Sequence, residues 1–310
     1  MADVRLTALN DFTTTIHQSV PPDLNPDKVV LPVGFTVCVM GASRGIGEHI
    51  AYAYARAGAS RIVISSRSER DLETVARKIS ELNRDVQVDV VECDVSKSES
   101  VAALAEYVRT RCGRRLDVLV FNAGYAGPVT TRMDRGEPEW VRRAFEVNAM
   151  GTYLAAHHLV PVLLESSSSP PPPPPNKAPK GFIAVGSFAG CIRRGPIANT
   201  GYTVSKMAQI RLVEYLDEQF GRDGLVSLVL HPGAVATKMA EGNTPEEFLP
   251  YLTDDVDLCG AVCVWLSKQL KNVDWLSGRL ISATWDMVEL TSKKDQIRER
   301  DLLKFVMLTE

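Results

Sequence analysis

From about residue 35 onward, short apolar runs alternate with longer stretches in which apolar positions recur every three or four residues. The short runs fall at 35–40, 61–65, 86–92, 116–121, 182–186, 226–230 and 279–282, and are rich in Val, Ile and Leu. Continuous rather than alternating apolar character marks strands buried on both faces. The longer stretches, at 45–58, 69–83, 98–111, 138–164, 203–221 and 255–270, have the periodicity of helices. Strands separated by helices predict an α/β protein: a doubly wound, mostly parallel seven-stranded sheet in a single domain.

Three segments break the rhythm. Residues 1–32 form an N-terminal extension. Residues 286–310 carry charged positions punctuated by Met287, Leu290, Ile297, Leu302, Leu303 and Phe305, which predicts a helical tail packed on its own domain or on a second subunit. Within 166–180, four serines precede six consecutive prolines. Proline excludes helix and central strand and favours an extended polyproline conformation. This run joins a helix to a strand, so it belongs at the sheet edge opposite the ligand crevice. We expect a surface insertion; docking of a proline-binding domain is the alternative.

Composition narrows the function. A formal net charge of -3 and a pI near 6.0 exclude a broad electrostatic footprint for nucleic acid. No apolar run reaches the ~20 residues of a membrane span, and no secretory signal is recognisable, so a cytoplasmic protein is expected. The six cysteines form no Cys-x-x-Cys pair and the five histidines no His-Glu-x-x-His, so no metal site is predicted. Cys259 and Cys263, four apart, read as small buried residues on one helix face.

Candidate chemistry begins after the first strand, at Gly41-Ala42-Ser43-Arg44-Gly45-Ile46-Gly47. Glycines allow a tight turn and let the backbone approach a diphosphate at a helix N-terminus. The spacing is Gly-x-x-x-Gly-x-Gly, so the strand before it and the helix after it carry the inference. The second strand ends Ile64-Ser65-Ser66-Arg67, where an acid would bind a free ribose 2′-hydroxyl and repel a 2′-phosphate. A guanidinium stands there instead, with Arg44 a second cation, and arginine suits phosphate through paired hydrogen bonds. These residues predict NADP rather than NAD; solvated surface arginines are the alternative.

Further on, Tyr202-Thr203-Val204-Ser205-Lys206 opens a helix, and a spacing of four puts Tyr202 and Lys206 on one face. A free phenol ionises near ~10, and a nearby ammonium lowers that value toward neutrality. The preceding strand ends Gly186-Ser187, where a parallel sheet opens its ligand crevice.

Gly41–Gly47, Asp94-Val95, Asn122-Ala123-Gly124, Asn148, Ser187, Tyr202 with Lys206, and Pro232-Gly233 occur in the order of one family. Over residues 33–285 the chain resembles the short-chain dehydrogenases/reductases, which have a Rossmann-type fold. The resemblance implies an NADP(H)-dependent oxidoreductase interconverting a ketone and a secondary alcohol. Tyr202 would be the acid or base, Ser187 would steady the substrate oxygen, and Lys206 would hold the nicotinamide ribose and lower the Tyr202 pKa. Asn148 would anchor a water linking Lys206 to solvent. Gly41, Ser43, Arg44, Gly45, Ile46, Gly47, Arg67, Asp94, Val95, Asn122, Ala123, Gly124, Tyr202, Lys206, Pro232, Gly233, Val235 and Thr237 would bind cofactor. Asn122 reads equally as a brace for backbone groups, and Asp94 as a cap for the helix near Ser98. Phe121 departs from the pattern, since many relatives carry a second asparagine there.

The resemblance places 237–256 over the substrate. Met239, Phe248, Leu249, Tyr251 and Leu252 then fit an apolar or aromatic substrate, or a loop burying its own hydrophobes. Cys191, Ile192 and Ile197 are candidates for the facing wall. Thr13-Thr14-Thr15-Ile16-His17 and Trp285-Asp286 resemble a branch from fungal natural-product pathways, which implies a polyketide-like small molecule. The family implies a homodimer or homotetramer. The alternatives are a non-redox isomerase, dehydratase or cyclase on the same scaffold, and a non-catalytic NADP-sensing protein.

Overall fold

The seven apolar runs are strands of one sheet: β1 (Thr36–Met40), β2 (Arg61–Ser66), β3 (Gln87–Glu92), β4 (Val118–Phe121), β5 (Lys180–Val185), β6 (Leu225–His231) and β7 (Arg279–Ser282). They come from a computed structural model that describes residues 9, 11–165, 179–195 and 197–307. The serine- and proline-rich run lies outside the described residues. Strand order is β3-β2-β1-β4-β5-β6-β7 and every pairing is parallel. All residues of β1, β4 and β5 are buried, which is why these runs lack alternation. The order reverses between β1 and β4, and that switch point opens a crevice at the strands' C-terminal ends.

Helices cover both faces: α1 (Gly45–Arg56), α2 (Glu69–Leu82), α3 (Ser98–Arg111), α4 (Pro138–Ala144), α5 (Gly151–Glu165), α6 (Thr200–Phe220) and α7 (Asp257–Lys268). The amphipathic logic is plain in α2. Ser68 caps it by accepting the Asp71 N–H, and Leu72, Val75 and Ile79 form its buried stripe. Where α1 meets α7 the backbones nearly touch, since a Cβ at Gly260 would lie 2.8 Å from the Ala53 Cβ. Among the described residues, no helix is long and apolar enough to cross a membrane.

Two of the expected helices differ in detail. The helix expected at 138–164 is continuous, with a π-helical turn, Phe145–Met150, between α4 and α5. The wider turn sets Asn148 inward, fully buried. The tail expected to be helical over 286–310 is helical only in α8 (Met287–Ser292) and α9 (Lys294–Glu299). Beyond, Asp301 and Leu303 have φ of 45° and 67°, which ends the helix. The chain then runs along the open edge of β7, where the Leu303 carbonyl accepts the Leu280 N–H at 3.0 Å. Phe305 donates its N–H to Glu214 on α6, so the tail packs on its own domain.

The N-terminal extension is fastened to the region before that tail. Ile16 and Trp285 form an antiparallel bridge, and His17 Nε2 meets Asp286 Oδ2 at 3.0 Å. Trp285 is fully buried, packs against a tilted Phe12 ring with centroids 4.9 Å apart and donates from Nε1 to the Leu9 carbonyl. From there the strap reaches the loop before α7, where the Gln18 carbonyl accepts the Asp255 N–H at 2.7 Å.

Candidate active site

The glycine turn is shaped by close approach. Gly41 and Gly45 have φ of 86° and 60°. A Cβ on Gly41 would lie 2.6 Å from the Ala123 nitrogen, and one on Gly47 would collide with the Gly41 carbonyl and the Asn122 amide. Asn122 donates from Nδ2 to that carbonyl at 2.8 Å, and its own N–H bonds the Met40 carbonyl. Asn122 therefore braces the turn against β4. Beside the turn, the Thr237 methyl lies 3.6 Å from where a Gly45 Cβ would be, so the loop after β6 faces the α1 N-terminus. Glu48 shares that helix end, accepting the Gly45 N–H and the Tyr52 hydroxyl. The cradle is narrow, backbone-lined and at the switch point, and it fits a dinucleotide diphosphate.

At the end of β2, Arg67 is exposed, as is Arg44 across the turn, and neither forms a salt bridge with a described residue. Asp94, at the end of β3, turns inward on itself. Its Oδ1 accepts both the Ser96 N–H and the Ser96 hydroxyl, so it shapes its own turn rather than capping α3 near Ser98. Burial opposes its charge, but the Ser96 hydrogen bonds and the Arg67 charge hold its carboxyl below the usual range. Val95 packs its side chain against Gly151. Ser43 and Ile46 are half-buried on the glycine turn, and Gly124 faces Asn148 Oδ1 and Met239. Pro232 and Val235 are buried. Gly233 has φ of 94°, and a Cβ there would lie 2.8 Å from Asp254.

The structure brings Ser187, Tyr202 and Lys206 together. Asn199 starts α6, so Tyr202 and Lys206 are one turn apart on the face toward β5. Burial pushes the Tyr202 phenol above its ordinary value, while a hydrogen bond with the Ser187 hydroxyl pulls it back. Ser187 Oγ accepts the Ala189 N–H at 3.1 Å, which leaves its proton free to donate. Lys206 Nζ lies 6.0 Å from the Tyr202 ring centroid. The ammonium bonds inward, to the Val185 carbonyl at 3.0 Å and to Gln209 Oε1 at 2.9 Å. Burial lowers its pKa to about 7.

Asn148 is nearby, with its side chain fully used. Its Oδ1 accepts the Tyr125 N–H, and its Nδ2 donates to the Tyr125 carbonyl and to Ser205 Oγ at 2.9 Å. Its carbonyl accepts the Thr152 hydroxyl at 2.7 Å, and Thr152 Oγ1 accepts from Gln209 Nε2 at 2.9 Å. The sequence reading missed Thr152, Ser205, Gln209 and His231. The signal was there for three of them: polar residues on otherwise apolar, buried helix faces. The loop at 237–252 leaves Met239, Leu249 and Tyr251 exposed, so it does not bury those hydrophobes itself.

Comparison with known proteins identifies the family. The short chain dehydrogenase family model matches residues 35–247. The chain is 39% identical over 305 residues to the short chain dehydrogenase pgmD of Aspergillus terreus, covering 96% of this chain and 94% of the relative. The short chain dehydrogenase citE of Monascus ruber is 34% identical over 87% of this chain and 88% of its own length. This chain therefore belongs to the short-chain dehydrogenase family of oxidoreductases. Among solved structures, a 7α-hydroxysteroid dehydrogenase complexed with NADH superposes with a TM-score of 0.69 at 25% identity, over 84% of this chain and 96% of that one. The Pseudomonas aeruginosa RhlG/NADP complex has the same fold, with a TM-score of 0.69 at 22% identity, over 81% and 95% of the two chains.

Proposed function

We propose that this chain is an NADP(H)-dependent enzyme interconverting a ketone and a secondary alcohol, with Tyr202 as the acid or base. The observation that carries the reading is the meeting of Ser187 and Tyr202 at the crevice, with Lys206 one helical turn along α6. A phenol with a hydroxyl beside it suits a carbonyl oxygen that gains charge as it is reduced. Tyr202 gives that oxygen its proton, or takes it back in the oxidative direction, and Ser187 donates to the same oxygen. A bound NADPH would supply the hydride, cradled by Gly41–Gly47 and held at its ribose by Lys206. Arg44 and Arg67, two exposed cations that form no salt bridge with a described residue, would hold its 2′-phosphate. The two solved relatives hold different cofactors, so preference for NADP rests on these arginines.

The exposed Met239, Leu249 and Tyr251 favour an apolar or aromatic substrate, in keeping with polyketide-like chemistry. A homodimer or homotetramer fits the apolar groove formed by Phe145, Ala149, Met150, Tyr153 and Leu212 on the outer faces of α4–α6. The test is Tyr202→Phe, assayed with NADPH against a panel of ketones and quinones. Wild type consumes one NADPH per product formed, and the variant binds NADPH without turnover; a variant that still turns over ends this reading.

A further inference from the structure

Two pairs of residues, each four apart, face one another in the core beside Lys206. Asn148 and Thr152 project from the π turn and α5, and Ser205 and Gln209 from α6. They form two rungs, Asn148 Nδ2 to Ser205 Oγ and Gln209 Nε2 to Thr152 Oγ1, both 2.9 Å. Thr152, Ser205 and Gln209 are all fully buried. A primary amide in such a place is costly unless both its ends are satisfied, whereas a leucine would pack there without that requirement. Both ends of Gln209 are satisfied, and its oxygen is spent on the Lys206 ammonium.

We propose that Gln209, seated on Thr152, is a positioning residue for Lys206: it holds the ammonium in place and ties it to the Asn148 carbonyl through side chains alone. The chain runs from Lys206 Nζ to Gln209, to the Thr152 hydroxyl and to the backbone oxygen of Asn148, with steps of 2.9, 2.9 and 2.7 Å. The inference rests on reading Ser187, Tyr202 and Lys206 as the reacting group.

Few charges compete at this point. Tyr202 faces Lys206 from one turn back on α6, Ser187 comes from the end of β5, and His231 comes from the end of β6. Burial, then the Lys206 charge, holds His231 neutral. Thr152 and Asn148, from the α5 side, are uncharged. An acceptor on an ammonium favours its charged form. With burial bringing Lys206 to about 7, one acceptor more or less decides its charge at neutral pH.

The test follows Lys206 directly. Full-length protein carrying lysine labelled with carbon-13 at Cε is titrated by NMR, with Lys206→Met identifying the resonance. Relative to wild type, the Lys206 midpoint falls by about one pH unit in Gln209→Leu and rises in Gln209→Glu. It falls by less in Thr152→Val, which frees the amide without removing it. In parallel, kcat for NADPH-dependent ketone reduction at neutral pH drops on the order of tenfold in Gln209→Leu, while NADPH affinity stays within a few-fold. Midpoints that do not move in the Leu and Glu variants overturn the proposal. So do midpoints that move while kcat is unchanged across the pH range. If Gln209→Leu does not fold, the Glu and Val variants decide alone. A wild-type protein that reduces no ketone ends the functional reading, and the resonance midpoints still decide the local role of Gln209.

Discussion

His231 Nδ1 accepts the backbone N–H of Phe188 at 3.4 Å, and the two rings stack with centroids 4.2 Å apart. Phe188 follows Ser187 directly, so the end of β6 grips the loop that presents the Ser187 hydroxyl. Because Nδ1 is an acceptor, the ring proton sits on Nε2. Burial and the nearby Lys206 charge lower the ring's pKa from 6.5 to about 3, so it keeps this tautomer at any working pH.

His231→Ala removes both the acceptor and the stack and leaves Ser187 poorly placed. Misplacement by about 1 Å costs on the order of 10²-fold in rate. We expect kcat to fall by about that factor while NADPH affinity, read by fluorescence titration, stays close to wild type. In wild type, no step in kcat/KM between pH 5 and 8 belongs to this ring. A variant with wild-type kcat removes His231 from the picture.

Arg67 is the cation at the end of β2, and its charge reaches Asp94 at the end of β3. Paired hydrogen bonds to a phosphate are worth more than one bond to a hydroxyl. Arg67→Ala is expected to weaken NADPH binding by one to two orders of magnitude, roughly 1.4 kcal/mol for each tenfold, and to change NADH binding little. Equal losses for the two cofactors, in side-by-side titrations, would mean that Arg67 reads no phosphate.

The sheet and the glycine turn were legible because each depends on local, short-range demands. In β1, Val37–Met40 are apolar without a break, as a strand covered on both faces requires. Tyr202 and Lys206 were legible because helical spacing alone puts them on one face. What stayed hidden depends on distant partners. Gln209 looks like any polar helix residue until Thr152, 57 positions earlier, supplies its other half. The π turn around Asn148 has no sequence signature of its own. The tail leaves its helix after Glu299 because β7 needs a partner for the Leu280 N–H, a demand set by the sheet edge. Asp94 could be read as a helix cap or a cofactor ligand, and only the fold shows its oxygen turned to Ser96.

Gly47→Ala tests whether the close packing of the turn matters. The new methyl would strike the Gly41 carbonyl, which is backbone, and the Asn122 side-chain amide, which is held by its hydrogen bond to that carbonyl. Forcing a methyl into packed backbone costs about 1–3 kcal/mol. The urea midpoint should fall accordingly, and NADPH binding should weaken with it as the Gly41–Gly47 turn moves off β4. A variant as stable as wild type, with unchanged cofactor affinity, would show that the turn has room to give.

Lys206→Met separates what the lysine does for stability from what it does for chemistry. Burial lowers the Lys206 pKa from 10.5 to about 7 in the folded protein. Between those values the unfolded chain holds the proton and the folded chain does not, so wild-type stability rises with pH across that window. It is lowest at and below pH 7, where a charged ammonium must be buried. Methionine binds no proton, and His231 is already neutral throughout the window. The stability of Lys206→Met relative to wild type should therefore be highest near pH 7 and decline toward pH 10, by a few kcal/mol in all at ~1.4 kcal/mol per pH unit. Loss of the Gln209 and Val185 hydrogen bonds displaces the whole difference without changing its slope. Turnover should vanish in the variant at every pH. Urea unfolding of both proteins at pH 7, 8, 9 and 10 reads the slope, and parallel curves would mean that Lys206 is not held in its buried place.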